Sequence, residues 1–390
     1  SSQDSKNSIR STNSSGTLIN SQDGDARDEE LAKWEIAVLT CILIVTLLGN
    51  SLVLFSLYIR RHRARKKMTR MYFFIMHLSI ADLLSGLLDV LPQLAWDITY
   101  RFQGGPVLCK IVKFLQPLGP YLSSYVLIAT AIDRYHAICH PLTYCSTTNK
   151  RPRIMVYGAW IITIVLCIPQ VFIFSYQEIM PHVWDCWASF ELPYTERVYV
   201  TWYSITVFFL PFIVLVYTYT CICVDIWRTN KMSSIVVLKL NKNTANFPHH
   251  TNHISRAMIN TVRQTIAVIS LYIITSTPFT GCLLWATWDP DASSSEFFQG
   301  PAFTILTLLS SLTSCVNPWI YLSFNSELRS ALMNGLFKKD DYSLTYATLH
   351  ENARKFDEKK SNETENTATK YCDFMLILYY CIIWFFILEF

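Results

Sequence analysis

The chain has 390 residues, of which 51% are hydrophobic and 16% charged, and its formal net charge is +4. Soluble domains carry about 25% charged residues, so this composition argues against a soluble globular protein. The small net charge gives no support for a nucleic-acid partner. The apolar residues form long runs separated by short polar stretches, which is the pattern of a membrane protein.

The segment before the first apolar run is rich in serine, asparagine and aspartate, and we predict a disordered extracellular tail over residues 1–30. It contains the glycosylation sequon Asn13-Ser14-Ser15, which fits that location. No signal peptide is visible at the first residues, so the first apolar run is expected to act as its own insertion signal.

Seven apolar segments follow, each long enough to cross a hydrocarbon core of about 30 Å. They predict an all-α membrane protein with a bundle of seven transmembrane helices over residues 31–325. Because short loops join them, neighbouring helices are expected to pack antiparallel. The predicted spans are Glu35–Ile59, Tyr72–Trp96, Leu108–Ile138, Ile154–Phe174, Tyr199–Trp227, Ala257–Thr287 and Pro301–Phe324.

Basic residues concentrate in the loops after the first, third and fifth spans, most densely over residues 60–67, whereas the alternate loops carry mostly acidic residues. Lysine and arginine mark the cytoplasmic loops of membrane proteins. The pattern therefore predicts a multi-pass protein of the plasma membrane with its N-terminus outside the cell and its C-terminus inside.

The chain after the seventh span has three parts. Residues 326–337 (SELRSALMNGLF) form an amphipathic pattern that predicts a helix on the inner membrane surface. Residues 338–370 are polar and are predicted to be a disordered cytoplasmic tail. Residues 371–390 are apolar again, and an eighth span, an interfacial anchor and translated intron sequence are the alternatives, of which we favour the last.

Polar residues inside membrane spans are costly and usually functional. Asp82 stands in the middle of the second span, Asn50 in the first, and Asn317 interrupts the seventh. A buried carboxylate needs partners or a cation, and Ser123, Ser314 and Asn317 are candidate oxygen donors around a small cation such as sodium. Hydrogen bonds alone are the alternative. A sodium ion at Asp82 is the one cofactor that we expect.

The tripeptide Asp133-Arg134-Tyr135 stands at the inner end of the third span. An arginine beside an acid at the membrane edge forms an ion pair that can break, and such a pair is a natural two-state element. Tyr219 and Tyr321 are candidates to receive the arginine once the helices move.

Most of the twelve cysteines lie inside apolar runs, where a thiol behaves as a small hydrophobe. Cys109 and Cys186 instead stand in or beside polar stretches. They can form a disulfide bond if both loops face the oxidising side of the membrane.

Together these motifs resemble those of the rhodopsin-like (class A) G-protein-coupled receptors. The resemblance covers about residues 30–337 and implies signalling to a heterotrimeric G protein and binding of arrestin. The motifs are Gly49-Asn50, LSIADLL in the second span, Asp133-Arg134-Tyr135, Trp160, Pro211, Pro278 and Asn317-Pro318-Trp319-Ile320-Tyr321.

Longer strings resemble the vasopressin/oxytocin receptors, which implies an extracellular cyclic neuropeptide as the ligand, in a polar pocket open to the outside. Cardioactive-peptide and neuropeptide S receptors share several features but fit the first two strings less well. The strings lie at residues 30–39 (ELAKWEIAVL), 90–102 (VLPQLAWDITYRF), 185–188 (DCWA), 199–202 (YVTW), 254–257 (ISRA) and 288–290 (WDP).

In that family glutamines and one lysine line the pocket. The matching positions in this sequence are Gln93, Lys113, Gln116 and Gln170. A glutamine offers donors and acceptors to the amides of a peptide, although hydrogen bonding between helices is the alternative role of each. Amides at the bundle centre, rather than a carboxylate, argue against a small amine as the ligand.

In the first outer loop, Asp97 and Arg101 are expected to contact the tail of the peptide. Two positions of the pocket depart from the family, because Asp89 and Leu283 stand where glutamines are expected. These changes remove amides and add a negative charge, so they bear on which ligand is recognised.

Two further departures concern activation. Ser276 replaces the tryptophan that the family carries two residues before Pro278, and Thr313 replaces an asparagine near the predicted sodium site. The kink at Pro278 remains, and Phe279 is predicted to take over the packing role of the missing tryptophan.

Other protein classes fit less well. A retinal-binding light sensor needs a lysine in the last span, and residues 301–324 contain none. A transporter would show two related halves, and an enzyme would show a constellation such as H-E-x-x-H. A decoy receptor that binds peptide with weak G-protein coupling is the main rival: the intact Asp133-Arg134-Tyr135 disfavours it, whereas Ser276 favours it.

Overall fold

The computed structural model describes residues 29–63, 65, 67–146, 150–190, 192–240, 256–292, 295, 297 and 301–337. Within these residues the chain is a helical bundle with one two-stranded hairpin. The glycosylation sequon at Asn13, the cytoplasmic tail over residues 338–370 and the apolar segment over residues 371–390 lie outside the described part of the chain.

The described residues form seven spans, two of which contain a π-helical turn. The first span is α1 (Glu29–His62); the second comprises α2 (Arg70–Ser85), a π-turn (Gly86–Val90) and α3 (Leu91–Thr99); the third comprises α4 (Gly105–Leu115) and α5 (Leu118–Cys139). A short helix α6 (Pro141–Ser146) leads to the fourth span, α7 (Lys150–Ile173). The fifth span comprises α8 (Pro193–Ser204), a π-turn (Ile205–Phe209) and α9 (Leu210–Leu240). The sixth span is α10 (Arg256–Trp288) and the seventh is α11 (Pro301–Phe324), which α12 (Ser326–Phe337) follows.

The helices run past the apolar segments on which the spans were predicted. The first begins at Glu29 rather than at Glu35, and the fifth extends from Pro193 to Leu240. Polar residues sustain these extra turns; Glu30, for example, pairs with Lys33 at 3.0 Å near the start of α1, where acids also favour the helix dipole. Hydropathy alone does not predict these polar helical turns beyond the apolar segments.

Of the described helices, six spans are long and apolar enough to cross a membrane. The third is the exception, because it is divided at Gln116 and Pro117 and carries serines and an ion pair. It is also the central helix, since 14 of the 22 residues of α5 are buried. Its neighbours therefore shield it, whereas the fourth span exposes a row of large apolar side chains suited to lipid: Ile154, Ile161, Val165 and Phe172.

A hairpin closes the bundle end where the third span begins. Strands β1 (Phe174–Met180) and β2 (Val183–Ala188) pair antiparallel, with Tyr176 opposite Cys186. Cys186 forms a disulfide with Cys109 in α4, which confirms the predicted pairing. We call this end of the bundle the hairpin end.

The opposite end, which we call the α12 end, is held together by polar contacts between the first two spans and α12. Ser56 Oγ donates to the Leu328 carbonyl oxygen at 2.5 Å, and Arg60 Nη2 lies 3.1 Å from Glu327 Oε2. The Tyr72 hydroxyl donates to the same carboxylate at 3.3 Å, and the Arg60 guanidinium stacks 4.0 Å from the Tyr72 ring centroid. The helix α12 is therefore fixed to the bundle.

The second and third spans approach most closely at Gly119. A Cβ atom on this glycine would lie 2.5 Å from the backbone nitrogen of Ser85, which no side-chain rotation can relieve. The absence of a side chain at Gly119 therefore lets α5 pack directly on the end of α2, next to the π-turn of the second span.

We predict that Gly119→Ala forces these two helices apart and lowers the free energy of unfolding by about 1–3 kcal/mol. The measurement is thermal unfolding of the detergent-purified protein. Gly158→Ala is the matched control, because a Cβ atom at Gly158 meets nothing within 4 Å. Equal midpoints for the two variants would contradict the close packing.

Candidate functional sites

A cavity of about 390 Å³ lies among all the spans except the fourth. Glu35 and Asp97 line it toward the hairpin end, whereas Ser123 and Ser314 line its deepest part, beside Asp82. Many of its wall residues are serines and threonines from the third, sixth and seventh spans. The wall is mainly apolar, with hydrogen-bonding groups spread from the hairpin end to the deepest part, so the cavity suits a ligand that carries both kinds of group.

The second span presents one polar row to this cavity. Ser85, Asp89, Gln93 and Asp97 follow one another at intervals of four residues, and all four line the wall. Gln93 Nε2 donates to Asp97 Oδ1 at 3.0 Å within the row. The π-turn Gly86–Val90 carries Asp89, and such turns occur frequently at functional sites.

The amide-lined wall implied by the family resemblance differs from the wall that the structure describes. Of the four predicted pocket residues only Gln93 lines the cavity, and Leu283 also lies outside its wall. Gln170 donates to the Tyr199 hydroxyl on the fifth span, which is the interhelical role named as the alternative. Gln116 is the C-cap residue of α4 and lies at the break between the two helices of the third span.

Lys113 stands beside the cavity rather than in its wall. Its Nζ atom lies 4.5 Å from the Trp96 ring centroid and 5.1 Å from that of Phe174. These two cation–π contacts hold the ammonium group between the second span and β1.

Arg101 has a structural partner in the hairpin. Its Nη1 atom lies 3.4 Å from Asp185 Oδ2, while the backbone N–H groups of Phe102 and Cys186 donate to Asp185 Oδ1 at 3.2 and 2.8 Å. Asp185 is buried and ties the first loop of this end to the hairpin beside the disulfide. Sequence reasoning missed this role, although the signal was an acid directly before a paired cysteine.

The polar core lies around Asp82, which is fully buried. Asn317 Nδ2 donates to Asp82 Oδ2 at 2.9 Å, and Ser123 Oγ donates to Asp82 Oδ1 at 3.4 Å. Asn50 Nδ2 donates to the carbonyl oxygens of Ser314 and Thr46, both at 3.0 Å. The core thus joins the first, second, third and seventh spans.

Two hydrogen-bond acceptors of this core are unused in the described part of the chain. The side-chain oxygens of Asn50 and Asn317 are buried without a hydrogen-bond donor among the described residues. Together with the Asp82 carboxylate, these oxygens suit a small hard cation, which prefers oxygen ligands. Thr313, predicted to belong to this core, instead bonds to the Thr275 hydroxyl at 2.5 Å and so links the sixth and seventh spans.

Arg134 is paired in this structure. Its Nη2 atom lies 2.5 Å from Asp133 Oδ2, and both side chains are largely buried. Asp133 also lies 3.8 Å from Arg70 Nη1 and accepts a hydrogen bond from the Tyr144 hydroxyl at 3.4 Å. Burial and the neighbouring Asp133 raise the pKa of the Tyr144 phenol, which keeps it a donor. Sequence reasoning missed both of these additional partners.

The predicted receivers of the arginine are buried close by. The hydroxyls of Tyr219 and Tyr321 make no hydrogen bond among the described residues, and neither does Arg134 Nε. A small void lies between Arg134 and Tyr321. Tyr135 points elsewhere, since its hydroxyl lies 3.2 Å from His140 Nε2.

The sixth span borders the cavity through Ser276 and Phe279, on either side of Pro278. Below them, the Tyr272 hydroxyl donates to the Val207 carbonyl in the π-turn of the fifth span at 2.6 Å. The Tyr272 and Phe208 rings, whose centroids are 6.0 Å apart, line the same cavity as Ser276 and Phe279. The packing role predicted for Phe279 stays a prediction.

We predict that Asp185→Ala lowers the free energy of unfolding by about 2–3 kcal/mol, because it removes the acceptor of two backbone N–H groups and an ion-pair partner of Arg101. Glu178→Ala is the control on the same hairpin, since Glu178 is exposed and accepts one hydrogen bond, from the His182 backbone. The measurement is thermal unfolding in detergent. A midpoint for Asp185→Ala at or above that of the control would refute the proposed tie.

Comparison with known proteins places these sites in context. Residues 49–321 match the model of the 7 transmembrane receptor (rhodopsin family). The chain is 39% identical to the human vasopressin V1b receptor over 322 residues, 77% of this chain and 75% of that protein. It is 37% identical to the annetocin receptor of Eisenia fetida (78% and 82% covered) and 39% identical to the isotocin receptor of Catostomus commersonii (80% and 79% covered).

Proposed function

Since the chain belongs to the rhodopsin family of seven-transmembrane receptors, and within it to the vasopressin/oxytocin receptors, we propose that it binds a vasopressin- or oxytocin-like neuropeptide and activates a heterotrimeric G protein. The family consists of receptors rather than enzymes. The observation that supports this proposal most strongly is that a cavity containing carboxylates and hydroxyls opens toward the hairpin end of the bundle, while the paired Arg134 lies toward the α12 end.

In this proposal the hairpin end faces the outside of the cell and the α12 end faces the cytoplasm. A disulfide between Cys109 and Cys186 persists only in an oxidising compartment. Basic residues gather at the other end, where α1 finishes with Arg60 and Arg61. The apolar outer faces of the spans then contact lipid of the plasma membrane.

Signalling follows from a shift of population between two arrangements of the bundle. A peptide in the cavity touches the sixth span at Ser276 and Phe279, next to the flexible point at Pro278. When the sixth span moves outward, Arg134 leaves Asp133 for the unbonded hydroxyls of Tyr219 and Tyr321. The cleft that opens at the α12 end then accepts the G protein and, afterwards, arrestin.

A sodium ion is proposed as a modulator of the polar core. Asp82, Ser123 and Ser314 would hold it, together with the unbonded side-chain oxygens of Asn50 and Asn317. The bound ion would supply the positive charge that the buried carboxylate lacks. These residues lie on four spans, so they would hold the spans in their present arrangement.

A peptide-binding decoy with weak coupling is the second candidate, and Ser276 favours it. This residue leaves the cavity wall without the bulky side chain that the resembling receptors carry there. The paired Arg134 and the unbonded tyrosine hydroxyls favour the signalling receptor instead. The relatives, in turn, favour the vasopressin/oxytocin interpretation over the cardioactive-peptide and neuropeptide S alternatives.

The first test expresses the full chain in cells and applies vasopressin- and oxytocin-like peptides, with calcium and cyclic-AMP readouts in parallel. We expect at least one peptide to respond. Arg134→Ala should abolish nucleotide exchange while peptide affinity stays within about threefold, because the arginine is remote from the cavity. The control variant is Arg153→Ala, because Arg153 is exposed. Nucleotide exchange that persists in Arg134→Ala would overturn the proposal, and so would the absence of any response to every peptide despite surface expression.

The second test is Ser276→Trp, which restores the bulky side chain between the cavity and the Tyr272–Phe208 contact. We expect the maximal response to change by a larger factor than the peptide affinity does. The comparison is a dose–response curve against radioligand binding. Thr277→Trp is the control, since Thr277 faces away from the bundle. Equal losses of affinity and efficacy would argue against Ser276 as part of the switch.

A further inference from the structure

Asp89 is a carboxylate in the cavity wall that lacks a partner. It makes no hydrogen bond and no ion pair within 4.0 Å among the described residues, although it is more than half buried inside a membrane bundle. The π-turn Gly86–Val90 carries it, between the hairpin-end half of the cavity and its deep serine-lined part. A group so placed has no evident structural role.

Its natural partners are engaged elsewhere. Gln93, one turn further along the same row, gives its side-chain amide to Asp97 at 3.0 Å. Lys113, whose charge acts on Asp89 from the third span, is held against the rings of Trp96 and Phe174 and forms no ion pair with it. Asp89 is therefore a residue of the polar row that lines the cavity and has no hydrogen-bond or ion-pair partner among the described residues.

The rest of the wall adds negative charge. Glu35, Asp89 and Asp97 line the cavity, and its wall contains neither lysine nor arginine among the described residues. Carboxylates in a low-dielectric concavity create a potential that attracts cations. Water can solvate Asp89 only while the cavity holds no ligand.

A ligand that fills the cavity displaces that water. An apolar or carbonyl group opposite Asp89 would leave a desolvated, unpaired carboxylate, which is the costly outcome of burying a charge. A neutral amide would satisfy one lone pair, whereas a protonated amine or a guanidinium supplies both donors and charge. Ligand groups of the last kind are therefore favoured most strongly.

We propose that Asp89 is the residue that selects a cationic ligand, by pairing with a protonated amine or guanidinium of the bound peptide inside the cavity. The inference rests on the proposed peptide-receptor function and specifies the ligand of that site. The amides predicted for the bundle centre argued against an amine as the ligand, whereas the group without a partner in the cavity wall is a carboxylate, which favours a cationic ligand group.

Two parts of a peptide can supply this charge: the N-terminal amine and a basic side chain. The experiment therefore uses two pairs of otherwise identical peptides, one pair with and without the N-terminal amino group, the other with arginine or its neutral isostere citrulline in the tail. Affinities are measured on the full-length receptor at the cell surface, for the wild type and for Asp89→Asn. Asp89→Gln is a second neutral variant, with the residue that the resembling family carries there.

We expect the wild type to prefer the cationic member of one pair by at least about tenfold. Both neutral variants should reduce this preference to less than about threefold and retain affinity for the uncharged member. The pair that shows the effect identifies the source of the charge. Glu178→Gln is the control, because Glu178 is an exposed carboxylate of the hairpin outside the cavity wall, and this variant should preserve the preference.

Three results would overturn the assignment. One is a preference that persists in both Asp89 variants, and another is an equal loss of the preference in Glu178→Gln. Binding of all peptides without any preference for charge would also refute it while leaving the peptide-receptor function intact. Failure of every peptide to bind the surface-expressed wild type would overturn the receptor function itself, so the two failures are distinguishable.

Discussion

A carboxylate inside a hydrocarbon layer has no water to bond, so Asp82 must find its donors within the bundle. It takes them from Ser123 on the third span and Asn317 on the seventh, while Asn50 fastens the first span to the carbonyl of Ser314. The same constraint explains why the other polar residues of the spans occur in groups. The cavity wall, the Asp82 core, the Arg134 cluster and the contacts at the α12 end are such groups.

The third span connects these groups. Ser123 reaches the cavity and the Asp82 core at once, and Arg134 lies further along the same helix. Because Gly119 packs α5 directly on the second span, this helix has little freedom to shift against α2. This constraint is compatible with the proposed movement of the sixth span, which borders the cavity and carries Pro278.

Hydropathy and charge predicted the spans and the fold class, because the membrane imposes both, and the pairing of Cys109 with Cys186 is confirmed. Side-chain direction in the cavity was harder to predict. A π-turn or a helix break rotates every residue beyond it, and neither the turn at Gly86–Val90 nor the break at Gln116 has a signal in the periodicity. Gln170 was placed in the pocket by the family resemblance, whereas its amide bonds to Tyr199 on the fifth span. The sequence marked Asp89 as a departure from the family, and the structure adds that its carboxylate has no hydrogen-bond or ion-pair partner among the described residues.

The arrangement around Asp133 bears on how hard the receptor is to switch. Arg70 and Tyr144 approach this acid independently of Arg134, and the Arg70 guanidinium also stacks 4.2 Å from the Tyr144 ring centroid. When Arg134 departs, Asp133 keeps a positive neighbour and a donor, so no isolated buried charge is created. In the proposed mechanism, Arg70 and Tyr144 thus reduce the cost of separating Arg134 from Asp133, and they would thereby lower the threshold for spontaneous signalling.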